Sequence, residues 1–400
     1  MTQSTSPRMT RPKLPWLQGA LALGGIALLL ALVLAAGRVP GLLRLESSTA
    51  DIRTALLSSR TATEHPSIAV VAITDDTLKS FATKSPIDRG YLAQLVNAID
   101  AAGPRAIGLD VYYLRATDPA KDLALQTALA DAKAVVVPGA LDERGRTGDD
   151  QRAFQEAFLA ATKRAPGYIA LQFERDGVVR NSAGPAPATH FTVSFAELLA
   201  RSMRPAAQLA PGRIAWLQKV DGDSYKSKLV NWEGRNPFLV ISAEDLLDPK
   251  WQHLRDRLKD RIVLVGADFA YIDRHRTPLT VWNGEETPGV MIHAQIAAQL
   301  LDGRNVSELT PQAARLLALM LACVGGLLGW WFRMRRFDFL GWGIAAAVLT
   351  GIDALIFSNL HIILPFMMSM LAWFAGVTAG HNLGHVYDWV EQRAGARSLA

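Results

Sequence analysis

The feature that most limits what this chain can fold into is its first hydrophobic run, Leu17–Ala36 (LQGALALGGIALLLALVLAA). It carries no charge, and at about 1.5 Å rise per residue a helix of this length matches the roughly 30 Å hydrocarbon core of a bilayer. Arg8, Arg11 and Lys13 precede it, and no acidic residue occurs before Glu46. Under the positive-inside rule that basic tail stays in the cytoplasm and the chain that follows is exported. A secretory signal has an apolar region of about 7–15 residues, shorter than this one. The run therefore reads as an uncleaved anchor, although Leu34–Ala35–Ala36–Gly37 offers small residues of the cleavage type.

Three more apolar runs follow at 312–332, 339–357 and 361–380, with Arg333, Arg335 and Arg336 between the first two of them. The next link, Ser358–Asn359–Leu360, is uncharged, and Arg393 and Arg397 lie beyond the last run. These charges predict four transmembrane helices, one N-terminal and three C-terminal; with the resemblance given below, the expected location is a bacterial inner membrane. Both termini (1–16 and 381–400) would then be cytoplasmic, and 37–311 would be periplasmic or extracellular. Half of the residues are apolar, but the excess sits in the runs, and 45–305 has an ordinary globular composition. The net charge of +5 is mild, and no basic run is interleaved with aromatics, which argues against a nucleic-acid partner. The single cysteine, Cys323, falls in an apolar run and leaves no intrachain disulfide, as suits a bacterial envelope protein.

Within 45–305 the pattern is strand, helix, strand. Ile68–Ile73 and Ala106–Val111 are continuous apolar runs of the kind found in strands covered on both faces, and Ala134–Pro138 and Arg261–Gly266 extend the series. Tyr91–Ala101, Asp122–Ala132 and Pro288–Leu301 have helical spacing between them. This predicts an α/β domain with a mixed, mostly parallel sheet and flanking helices. Ser242 before Ala243–Glu244–Asp245 is placed to cap a helix. The section 139–235 is less regular and reads as an insertion or second lobe, with a strand at Lys228–Trp232 and a helix at Phe191–Ala200.

Asp75, Asp76, Asp110 and Asp268 all follow apolar strands. In an open parallel sheet the carboxyl ends line the ligand crevice, so these acids are candidates for a ligand or cation site; acids there also cap helices and close turns. Arg89 opens a helix and points either at that crevice or into a surface ion pair. Arg274–His275–Arg276 lies in a long loop; it could hold phosphate or carboxylate but reads as solvated, while His293 reads as packed. In the membrane, Gly325 with Gly329 and Gly376 with Gly380 form small-residue faces that permit close helix approach or a homodimer. Asp353 at mid-depth in the third run is a candidate for transmembrane coupling, or else a buried protonated acid. His381, His385 and Asp388 recur at i, i+4 and i+7; the spacing suits a metal but reads as a solvated juxtamembrane face. No GxSxG, HExxH or Walker loop occurs, so no enzyme, cofactor or metal site is expected.

The segments Asp51–Ile52–Arg53, IAVVAITDDTL (68–78), SPIDRGYLAQLV (85–96), AIGLDVYY (106–113), ISAEDLL (241–247), RIVLVGA (261–267) and TPGVMIHAQIAAQLL (287–301) together resemble the CHASE domain of the second type. The resemblance covers 45–380 and includes the trailing membrane runs. It implies an extracellular sensory domain, of a kind associated with cyclases, histidine kinases and serine/threonine kinases. Only residues 381–400 follow the last run, so the expected output is a separate cytoplasmic or membrane partner. The expected input is an unknown small ligand or envelope component. The rival expectation is a scaffold or assembly protein of the envelope that senses nothing.

Overall fold

The computed structural model describes residues 15–36, 38–81, 85–141, 147–182, 191–209, 216–219, 226, 228–231, 233–332 and 338–397. Arg8, Arg11, Lys13, Trp232, Arg333, Arg335 and Arg336, on which several expectations rest, lie outside them. The longer helices are α1 (Pro15–Ala36), α2 (Pro40–Leu56), α3 (Arg89–Ala101), α4 (Pro119–Asp131), α5 (Asp149–Thr162), α6 (Phe195–Arg201), α7 (Gly289–Leu301), α8 (Pro311–Phe332), α9 (Asp338–Leu360) and α10 (Phe366–Arg397). The chain divides into two compact units, 51–214 with 220–307, and 1–50 with 215–219 and 308–400.

The first unit is built on a parallel sheet of β1 (Ile68–Thr74), β2 (Ala106–Asp110), β3 (Val135–Ala140), β4 (Gly167–Tyr168), β5 (Leu239–Ser242) and β6 (Ile262–Asp268). Their spatial order is β5-β1-β6-β2-β3-β4, so β6 enters between the first two strands of this sheet. Alternation along the strands makes two cores. Ala69, Val71, Ile73, Val263 and Val265 face the α3 and α4 side, and Ile68, Val70, Ile262 and Leu264 face the α6 and α7 side. Each buried Val, Leu or Ile contributes about 1.5–3 kcal/mol, which explains why these strands are apolar on both faces. Helix α7 is buried along its whole length and, apart from His293, Gln295 and Gln299, is apolar for the same reason.

Local capping sets the helix starts. The Asp88 carboxylate accepts from Tyr91 N at 3.0 Å, Asp118 caps α4 with Pro119 at its first position, and Ser242 caps the short helix Ala243–Leu247 as expected. The irregular middle section partly joins the main sheet rather than forming a separate lobe. β4 extends the sheet edge, and α6 packs on the α7 side. Leu171–Phe173 and Val179–Ser182 form an antiparallel hairpin.

In the second unit, two helices, Pro311–Phe332 and Trp342–Leu360, are long and apolar enough to cross a membrane among the described residues. In α1 the apolar stretch Trp16–Leu29 falls short of that length. The last apolar run does not begin as a helix at 361. His361 takes a left-handed φ of 53°, Ile362–Ile363 form a short strand beside Ser307–Leu309, and α10 then runs unbroken to Arg397. The small-residue faces meet within the chain. Gly325 approaches the Trp373 carbonyl so closely that a Cβ would lie 2.7 Å from it, and Gly376 and Gly380 lie against the backbones of Ala322 and Gly326. Gly329 likewise lies against the Val377 backbone, and Asp353 is buried.

Candidate functional site

The site lies at the carboxyl ends of β1, β6 and β2, where the inserted β6 reverses the strand order. Register places Asp110, the last residue of β2, beside Gly266 of β6. The loop after β6 returns over this end. Within it Asp273 adopts φ 57°, a conformation aspartate tolerates better than most residues. The Gly289 N–H at the start of α7 donates to the Asp273 carbonyl at 3.1 Å. A Cβ at Gly289 would fall 2.6 Å from Asp273 Oδ2, so only glycine lets that carboxylate reach the positive end of α7. The ladder Arg274–His275 with Thr287–Pro288 fixes the loop, and His275 Nε2 lies 2.9 Å from Asp273 Oδ1.

Two cavities adjoin this pair. The larger, about 490 Å³, is lined by Asp75, Arg89, Asp110, Tyr112 and Asp273 among others. The smaller, about 370 Å³, is lined by Asp110, Asp273, His275, His293 and Phe173 among others. Asp110 and Asp273 belong to both walls. Burial, and then the Asp273 charge, push the Asp110 carboxyl well above the usual carboxylate range. Burial holds His293 neutral, lowered to about 4, and its ring packs edge-on against Phe195 at 5.3 Å. The arrangement opposes two carboxyls across a space that accepts a donor group, a positive charge or a shared proton. Among the described residues no group of three or more His, Cys, Asp or Glu is placed to hold a metal ion.

A family model for the CHASE2 domain matches residues 26–328. The chain belongs to the CHASE2 family. CHASE2 domains are extracellular sensory modules, and the match runs from within α1 into α8, so α9 and α10 lie beyond it. No curated protein and no solved structure matches the chain.

Of the acids expected in the CHASE2 crevice, Asp75 and Asp110 come together. Asp75 also ties down the loop after β6 by accepting from Ala270 N at 2.9 Å. Asp76 does not join them; it is exposed and pairs with Lys79 at 2.5 Å. Asp268 opens instead on a separate cavity of about 300 Å³, where it pairs with Arg274 at 2.5 Å. That cavity also holds Lys228, whose ammonium burial lowers to about 7 and which donates to Thr277 at 3.4 Å.

Arg89 touches the larger cavity but is not directed at the acids. It is 3% exposed, pairs with Asp122 at 2.7 Å, donates to the Arg115 carbonyl and lies over the Phe158 ring at 4.7 Å. The surface pair expected there belongs to Asp88 with Lys121.

Sequence reasoning missed Asp273, whose only signal was an acid next to Arg274–His275–Arg276 and ahead of Pro288–Gly289. It also missed the partner of Asp51 in the family-like Asp51–Ile52–Arg53. Asp51 on α2 is gripped by Arg180 of the hairpin through two bonds of 2.8 and 2.6 Å, both side chains being buried. Glu174 and Asp176 complete the ring around Arg180, each at 2.7 Å.

Proposed function

We propose that this chain is a membrane-anchored sensor of the bacterial envelope. Its CHASE2 domain lies outside the cytoplasm on four membrane helices, and it passes the state of the Asp110–Asp273 crevice to an output partner across the membrane. One observation carries the reading: two cavities share a wall of opposed carboxyls at the switch point of the sheet. The two carboxyls oppose each other, and a small ligand that supplies donors or positive charge favours one state over the other.

A mechanical route leads away from this wall. Phe173 meets His275 edge-on at 5.3 Å, and Val179 N donates to the Arg276 carbonyl at 2.8 Å, so the hairpin follows the loop that carries Asp273. Through Arg180 the hairpin grips Asp51, and α2 is one continuous helix from Pro40 to Leu56. A shift at Asp273 therefore reaches α2, the helix that follows α1 in the chain.

The test is a thermal-shift screen of the full chain in lipid nanodiscs against small amines, polyols and envelope fragments. Hits should raise the melting midpoint of the wild type and lose that effect in Asp110→Asn and Asp273→Asn. A hit that stabilises both variants as it does the wild type would remove the crevice from the account. Co-purification of a stoichiometric envelope protein with no small-molecule response would favour the scaffold reading.

A further inference from the structure

We propose that His381 and His385 on α10 form a two-point binding site for a divalent transition cation of the zinc or nickel type. Four residues apart, the two imidazoles share one face of the helix. Their Nε2 atoms lie 3.2 Å apart, with ring centroids 4.6 Å apart and planes at 75°. Two nitrogens bound to tetrahedral zinc at about 2.0–2.1 Å are about 3.3 Å apart, so a cation that replaces the hydrogen bond between the rings needs little change in their separation.

The donor type selects the cation. Neutral imidazole suits zinc, nickel and copper, whereas magnesium and calcium require oxygen ligands. Binding places the ring protons on Nδ1 and both Nε2 lone pairs on the metal, with no proton lost from the neutral rings. Among the described residues no third protein ligand is in place, so water fills the remaining positions and the ion exchanges readily.

His385 is exposed and His381 half-buried, which leaves the site open to solution. It lies beside a cluster of the aromatic type found at a membrane boundary, where Tyr387 and Trp330 rings are 5.7 Å apart and Arg393 covers Trp389 at 3.9 Å. A chelate across one helical turn stabilises only the helical state, so the cation holds α10 helical past its apolar part. This site does not depend on the sensory reading of the crevice.

The experiment titrates Zn²⁺ and Ni²⁺, with Mg²⁺ as control, into the full chain in detergent, purified without a polyhistidine tag. One equivalent of Zn²⁺ or Ni²⁺ should bind and Mg²⁺ should not. Loss of a second-shell partner alone weakens metal sites by about 10–100-fold, so His381→Ala and His385→Ala should each weaken binding at least that much. Carbethoxylation read by mass spectrometry gives an independent signal: Zn²⁺ should protect His381 and His385 but not the exposed His253. Unchanged zinc binding in the double variant, absence of zinc binding by the wild type, or equal labelling of the three histidines would each overturn the proposal.

Discussion

Two charge clusters in the sheet unit are built on opposite plans. Around Arg180 one cation meets three acids, with Asp51 held through two bonds and Glu174 and Asp176 closing the ring. Burial alone would lower the Arg180 pKa, but its acid partners reverse that and keep the guanidinium charged. Around Asp110 a carboxyl meets another carboxyl, and among the described residues no cation pairs with it. The first cluster is satisfied and acts as a latch between the hairpin and α2. The second is held in opposition by the glycine gap at Gly289 and the left-handed backbone of Asp273. A latch transmits whatever reaches it; an opposed pair supplies the state to be changed. The two are joined by the hairpin, and their charges decide which does which.

The latch is where breakage has the largest effect. Arg180→Met leaves Asp51 buried with its charge and no partner, and removing one member of a buried pair destabilises by about 3–5 kcal/mol. Arg180→Lys should recover only part of this, because an ammonium cannot reproduce the two parallel bonds to Asp51. Urea unfolding of the full chain in micelles measures both. A loss below about 1 kcal/mol for Arg180→Met would place the cluster among ordinary surface pairs.

The opposed pair should behave with the other sign. The Asp110 carboxyl sits above its ordinary value of 3.8 in the folded chain, so the fold binds this proton more tightly than the unfolded chain does. That contribution is complete below the unfolded pKa and is lost as pH rises through the folded one. Asp110→Asn carries no such group, so its stability should fall less between acid and neutral pH than that of the wild type. At neutral pH the variant should melt a few degrees higher, with each kcal/mol worth about 2–4 °C in a unit of this size. Melting midpoints across the pH range decide the point. Parallel profiles for the two proteins would mean that the pair is not opposed.

The strand runs and helix periods around the crevice were legible because every central strand is buried on both faces and reads as an apolar block. Strand ends pointed to four acids, of which Asp75 and Asp110, the two in family-like motifs, line one cavity. Asp76 was misplaced because adjacent residues diverge as the chain leaves β1, and Asp268 because its partner Arg274 turns it into a separate cavity. Arg89 was correctly set at a helix start, but its partner Asp122 comes from another helix, a pairing that only tertiary packing creates. Asp273 had no periodicity to reveal it. Its position depends on one left-handed residue and on the missing Cβ of Gly289, both invisible to a hydrophobic pattern. The start of α10 was hidden similarly by His361, whose left-handed turn interrupts an apolar run without any break in composition.

Asp268 gives the smallest expected effect and the sharpest control. It ends β6 beside the strand that Asp110 ends, so the two acids share residue type, sheet edge and near neighbours. They differ in charge environment: Asp268 has Arg274 at 2.5 Å, and both side chains remain more than a quarter exposed. Arg274 also donates to the Phe269 carbonyl at 2.7 Å and the Glu286 carbonyl at 3.2 Å, so it keeps its place without the acid. A part-exposed pair of this kind is worth about 0–1 kcal/mol, and Asp268→Asn should shift stability by no more than that. It should also leave any response at the Asp110 crevice intact. If Asp268→Asn instead abolishes that response as Asp110→Asn does, the two cavities act as one site. Opposition of like charges would then not be what distinguishes the crevice, since an acid already neutralised by arginine would matter equally.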